Sequence, residues 1–418
     1  MVLQSQVALT YGGGGQSYSS LALAILGLSA TVPTLGAAVV SGTLADRYDR
    51  RWLLKLVSIV ALGASIAIAA VLWQDPTAAF AIVGPAGFTV PLWLLLVIPL
   101  WASLTAAVTI FRPTFNSALP KLVETRQLGT ANGLLYAVTV AISAGVQVGT
   151  GLLVLEQGAV TALLVPIILL AFSLYFLIRL GPEAAAGARK RERTFLTDAK
   201  EGYRYLGIRR ELLGVTIAAL AINFLSAVAF VELAAYSAFF LDQSPAFLGY
   251  LYAVGTLGAG TGALVINRIP FERHLGRFIG LMTLLMGVSV AGFALTHSAV
   301  VALTDMFLFG MFPGMIQTGF VAGVQATVPN KLLGRVFAAD EVGSYAFVPA
   351  GQYVGGVVTF SAGIPVAFLG SGAGMAVVGA GLLLTPVIGK FRFDPSTPPP
   401  SDATPLAPPV GASAESPS

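Results

Sequence analysis

Gly42-Thr43-Leu44-Ala45-Asp46-Arg47-Tyr48-Asp49-Arg50-Arg51 joins two apolar runs, 20–44 before it and 52–73 after it. Half of these ten residues are charged, in a chain where only 10% of all residues are. An ordinary soluble domain carries about 25%. Outside such short loops the sequence is strongly apolar: 56% hydrophobic residues over 418 positions, with a mean hydropathy of +0.84. A soluble globule cannot hide that much apolar surface, because much of any globule faces water. Each membrane span needs about 20 apolar residues, so a chain of this length holds about a dozen with short loops between them. The composition is that of a polytopic membrane protein.

Working outward from the loop, further apolar runs fall at 91–112, 128–155, 158–180, 211–241, 246–267, 277–296, 298–326, 337–360 and 364–389, giving eleven spans in all. Glycine and proline inside them are compatible with helix in a bilayer. Residues 2–16 are a twelfth candidate, short and interrupted by Gln4, Gln6 and Gly12 to Gly15. With this assignment all 23 lysines and arginines fall on one side, and the other side holds only Asp75, Glu156 and Asp242. By the positive-inside rule the basic side is cytoplasmic. The expected organisation is a helix bundle over 1–180, a cytoplasmic linker over 181–210, a second bundle over 211–392 and a disordered tail over 393–418. In the linker, Phe195, Leu196, Ala199, Tyr203 and Leu206 recur near helical spacing between Lys200, Glu201 and Arg204, which predicts an amphipathic helix on the membrane surface. No charged segment precedes the first apolar stretch, so no cleavable signal is expected.

The halves resemble each other. Ala144-Gly145-Val146-Gln147-Val148-Gly149 is similar to Ala350-Gly351-Gln352-Tyr353-Val354-Gly355, and each follows a loop of one character, Leu119-Pro120-Lys121-Leu122 and Val328-Pro329-Asn330-Lys331-Leu332. Parallel transporter repeats produce such similarity, and so does the shared need of packed helices for small residues. If the loops at Arg47 and Arg268 correspond, the span at 211–241 maps to a segment beginning before Met1. The first helix is therefore expected to be truncated, or short and polar.

The opening stretch resembles the signature loop of the major facilitator superfamily, which lies between its second and third helices. Ala118-Leu119-Pro120-Lys121-Leu122-Val123 with Leu128 to Asn132, Asp198 to Leu206, and Gly334-Arg335-Val336 are similar to loops of the exporter branch that includes enterobactin and macrolide efflux proteins. Asp49 stands where a glycine is usual, and Gly145 to Gly151 keeps the glycines of the antiporter helix five without its proline.

The resemblance implies an all-α membrane protein with the major facilitator fold: two pseudo-symmetric six-helix bundles, here with the first helix apparently truncated. It also implies a conformational latch, formed by Gly42, Asp46, Arg47, Arg50 and Arg51. Asp46 would accept hydrogen bonds at the N-terminus of helix eleven, and the arginines would pair with Asp340 or Glu341. The same basic residues also serve orientation alone. Two acids sit well inside spans, Glu232 and Asp305, both roughly 10–13 Å from the external end at ~1.5 Å per residue. A carboxylate in hydrocarbon is costly and normally faces a cavity or a partner. By the resemblance both lie on cavity-lining helices, as candidates for proton exchange. Asn223, Tyr236 and Gln317 are candidate substrate contacts on the same helices, or helix-packing contacts.

Cofactor chemistry is not indicated. With no cysteine and two histidines, His274 and His297, a metal or thiolate site is not expected. Gly12 to Gly15 lacks the Gly-Lys-Ser/Thr of a phosphate loop, so no nucleotide is expected. The chain reads as a monomeric, non-enzymatic transporter in the cell membrane, exporting small molecules by proton antiport, with no nucleic-acid partner. An importer or facilitator of the same fold, and a transport-inactive membrane sensor, remain alternatives.

Overall fold

The computed structural model describes residues 2–11, 16–73, 81–83, 89–118, 128–179 and 195–394. The tail beyond 394 and the linker segment 180–194, with their predicted disorder and basic cluster, lie outside the described residues.

The first part of the chain forms α1 (Val2–Tyr11), α2 (Gln16–Arg47), α3 (Arg50–Trp73), α4 (Leu92–Ala118), α5 (Leu128–Ala162) and α6 (Leu164–Arg179). A short antiparallel hairpin, β1 (Ala81–Val83) with β2 (Thr89–Pro91), precedes α4. The linker helix is α7 (Phe195–Ile208), close to the amphipathic stretch read from the sequence. The second part holds α8 (Arg210–Phe230), the single turn α9 (Leu233–Ala235), α10 (Pro245–Val265), α11 (Leu275–Leu295), α12 (Ala299–Thr327), α13 (Asn330–Tyr345), α14 (Val348–Ala362) and α15 (Ile364–Leu384). Eight helices among the described residues are long and apolar enough to cross a membrane, and Ala22–Ala38 and Leu164–Arg179 are shorter apolar stretches.

Where helices stop, the sequence gives the reason. Asp49 ends the signature loop by accepting the Trp52 N–H at 2.8 Å, an N-cap for α3. The departure from glycine therefore has a structural use. Gly158, at φ 85°, breaks α5 internally before α6 begins, a backbone region that favours glycine. Three predicted spans are not the continuous helices the apolar runs suggested. The run 158–180 begins at that break and contains a second one before α6. The run 211–241 is interrupted at Val231 and Glu232 and ends in a π-turn, Tyr236–Phe240. The run 337–360 divides at Ala346 and Phe347, where Val348 and Pro349 restart the helix as α14. Hydropathy registers apolar character, which helix, turn and π-turn share.

In the second half glycines set the packing. α10 and α12 touch backbone to backbone at Gly255, Gly258, Gly310 and Gly314, and α11 meets α15 at Gly280, Gly287, Gly372 and Gly379. At Gly258, Gly310, Gly314, Gly287, Gly372 and Gly379 a Cβ would fall within 2.6 Å of a backbone atom of the facing helix. Without water to drive apolar association inside a bilayer, such close approach is how helices gain contact. Outward stripes of large apolar residues run along α3 (Trp52, Leu56, Ile59, Ile66) and α6 (Ile168, Phe172, Tyr175), the pattern of helices bathed in lipid.

Candidate functional site

Two helix pairs make the most extensive crossings between the halves among the described residues. α5 crosses α10 where Gly151 faces Gly249: a Cβ on Gly151 would stand 2.9 Å from the Ala246 carbonyl oxygen. α14 crosses α2 where Gly356 meets Ala24 and Ser20, a Cβ there standing 2.6 Å from the Ala24 Cβ. Each pair also carries one hydrogen bond to a glutamine of the internal repeat. Thr256 donates to Gln147 Oε1 at 3.1 Å, and Thr31 donates to Gln352 Oε1 at 2.9 Å. A third cross-half bond runs from the Tyr252 hydroxyl to Gln4 Oε1 at 2.9 Å. The sequence offered a signal for the glutamines, since both lie inside the repeated Ala-Gly segments. Their threonine partners carried none.

Glu232 sits at this junction. The break after α8 places it fully buried, and its carbonyl oxygen accepts the Tyr236 N–H at 2.8 Å. Ser20 of α2, also buried, lies beside its carboxyl group, but neither carboxyl oxygen meets hydrogen-bond geometry. A charged carboxylate in that setting is costly, so this arrangement suits the neutral acid.

Asp305 is elsewhere. Its Oδ2 is shielded from solvent and unpartnered, and Gly292 of α11 leaves it room, a Cβ there falling 2.5 Å from Oδ2. Ser289 of α11 donates to the Asp305 carbonyl at 2.7 Å. The side chain therefore faces α11 within the second half, and the two acids are not brought together at the junction.

The candidate substrate contacts also separate. Tyr236 is fully buried, with ring centroids 5.4 Å from Phe293, 5.0 Å from Phe368 and 5.4 Å from Phe240. It offers no surface to a solute in this state and serves the aromatic core of the second half. Asn223 Nδ2 donates to the Ala219 carbonyl on its own helix at 2.9 Å. Gln317 is exposed on α12.

Of the signature, the surroundings of Gly42 and the side chains of Asp46, Arg47 and Arg50 lie outside what the structure describes. Arg51 donates through Nη2 to the Ile178 carbonyl on α6 at 3.0 Å. Asp340 accepts from Thr216 at 2.8 Å and Ser344 at 3.4 Å, and Glu341 is exposed. Arg51 and these acids are thus not paired in this state.

The linker helix holds α13 instead. Glu201 is ion-paired with Arg335, and Gly202 lies directly against the Arg335 backbone. Tyr205 and Leu206 are buried beneath α7. Partial burial and the neighbouring Asp340 raise the Tyr203 hydroxyl pKa above its usual value.

Residues 3–401 match the family described as transmembrane secretion effectors, within the major facilitator superfamily. The chain belongs to that family. A relative in Bacillus subtilis, the uncharacterized MFS-type transporter YfiS, is 24% identical over 385 residues, covering 90% of this chain and 87% of that protein. The enterobactin exporter EntS of Escherichia coli K12 is 26% identical over 166 residues, 38% of each chain. Among solved structures, an inward-facing bacterial homologue of the iron transporter ferroportin aligns at TM-score 0.63 with 16% identity, covering 92% of this chain and 98% of its own. The nucleoside transporter NupG aligns at 0.64 with 12% identity, covering 91% and 96%. At such identities these structures establish the fold. It is that of the major facilitator superfamily, and the chain is a membrane transporter.

Proposed function

We propose that this transporter exports small molecules from the cytoplasm across the cell membrane by alternating access, driven by proton antiport. The observation that carries the reading is the Glu232 carboxyl, fully buried beside Ser20 of α2 where the halves meet. The glycine crossings of Gly151 with Gly249 and of Gly356 with Ser20 lie toward the end of each helix away from the basic loops. That end is closed in this state, and the positive-inside rule makes it external. The partial match to enterobactin exporters favours export of a small organic molecule.

In the cycle, Glu232 takes a proton from outside while the external end is open. Neutral, it can be buried, so the halves close over it and the opposite end opens. Release of the proton to the cytoplasm restores a charge that the closed junction tolerates poorly. Substrate then leaves as the external end reopens. The basic-loop end, with α7 and the tail, lies in the cytoplasm, the protein acts as a monomer, and the signature loop closes that end in the alternate state.

Proteoliposomes with an imposed pH gradient test this reading. The gradient should accelerate substrate efflux, and Glu232→Gln should reduce it to the rate of empty vesicles. Asp305→Asn should weaken transport without abolishing coupling. Efflux indifferent to the gradient and to both substitutions would overturn proton coupling. Alignment to a D-xylose–proton symporter at TM-score 0.61 keeps import in view, and the direction of the flux against the gradient separates the two.

A further inference from the structure

The outer stripes of α3 and α6 end in a cluster of aromatic and basic side chains at one edge of the bundle. Tyr48 and Trp52 stack at 5.3 Å, and both are about half exposed. Across from them on α6, Tyr175 and Phe176 are exposed to a similar degree. Arg179, the last residue of α6, sets its guanidinium 4.9 Å from the centre of the Tyr175 ring. Arg51 reaches across to α6 by one bond, from Nη2 to the Ile178 carbonyl, while its Nε is buried without a partner. Lys55 stands one turn further along the same face of α3. Among the described residues no carboxylate pairs with Arg51, Lys55 or Arg179. The nearby Asp49 is occupied by the Trp52 N–H.

We infer that the surface where α3 meets α6 binds the headgroup of an anionic phospholipid. The chemistry is a phosphodiester facing unpaired arginines, which bind phosphate well because the guanidinium presents several donors in a plane. Its position selects a lipid over a soluble anion. The cations lie where two lipid-facing stripes stop, within a girdle of tyrosine and tryptophan of the kind that marks the bilayer interface. A headgroup there has its acyl chains running along Leu56, Ile59, Ile168 and Phe172. Arg51 also belongs to the signature loop, so the site is one of the present state, in which Arg51 is not paired with Asp340 or Glu341.

Brominated lipids quench tryptophan on contact, so the part of the quenching lost in Trp52→Phe reports this surface alone. In the intact transporter, brominated phosphatidylglycerol should be preferred over brominated phosphatidylcholine at Trp52. Each arginine near an anionic surface contributes roughly fivefold, so the pair predicts a preference of about twenty-fivefold. The preference should fall towards parity in the Arg51→Gln, Arg179→Gln protein and largely survive in Arg51→Lys, Arg179→Lys. Parity in the wild-type protein would overturn the proposal, as would an undiminished preference in the glutamine pair. Loss of the preference on adding inorganic phosphate would overturn it too, by marking a soluble-anion site.

Discussion

At the scale of single residues, environment separates groups that look alike in the sequence. Glu232 and Asp305 are both acids in apolar runs, yet one lies where the halves meet and the other faces α11 inside the second half. Neither helical period nor hydropathy distinguishes them, because what differs is a helix break and a neighbouring glycine, Gly292. The signature loop was the more legible feature: its charged run marked the turn between α2 and α3. Asp49 gives a direct test of its structural part. Replacing it with alanine removes the cap on Trp52 and should cost about 1 kcal/mol of stability, measured as a lower thermal midpoint in detergent. Transport by the variant should persist, since Asp49 caps the helix and does not touch the junction.

At the scale of elements, glycines decide which helices can close on each other. Gly151→Leu forces a side chain into the Ala246 and Gly249 backbone. Overpacking of this kind costs typically about 1–3 kcal/mol, here charged to the closed state. Transport should fall on the order of tenfold while size-exclusion behaviour remains normal. Gly145→Leu is the matched control, because no atom lies within 4 Å of a Cβ at that position, and it should leave the crossing intact. The linker helix invites a second test. Gly202→Val drives a branched side chain into the Arg335 backbone, so α7 should detach from α13. Hydrogen exchange would then rise in α7 and in the first turns of α13 and stay unchanged in α11. The amphipathic period disclosed α7 itself, but its seat on α13 came from Gly202 and the Glu201–Arg335 pair, a contact between segments more than a hundred residues apart. The repeat is a similar case. Gly351 and Gly355 press on α8 whereas Gly145 and Gly149 face open space, so equal sequence segments perform different packing.

For the whole molecule, the chain's charge is divided by position. The described basic residues lie in the loops and helix ends of one side, while the halves cross closely at Gly151 and Gly356 with the buried Glu232 beside Ser20. The fold was legible because a bilayer permits few solutions for a chain this apolar. The state of the transporter was not, because both ends of such a bundle have the same composition whether open or shut. The chain contains no cysteine, which makes paired labels simple to introduce. Gln157→Cys on α5 and Ser244→Cys before α10 are exposed positions on opposite halves at the closed end. The spin–spin distance between labels at these sites, followed against pH in nanodiscs, tests the central claim most directly. The account predicts a short distance at low pH, lengthening as pH rises and Glu232 ionises, and a distance that stays short at every pH when Glu232→Gln is added. A wild-type distance indifferent to pH, or a Glu232→Gln protein that opens as the wild type does, would contradict it.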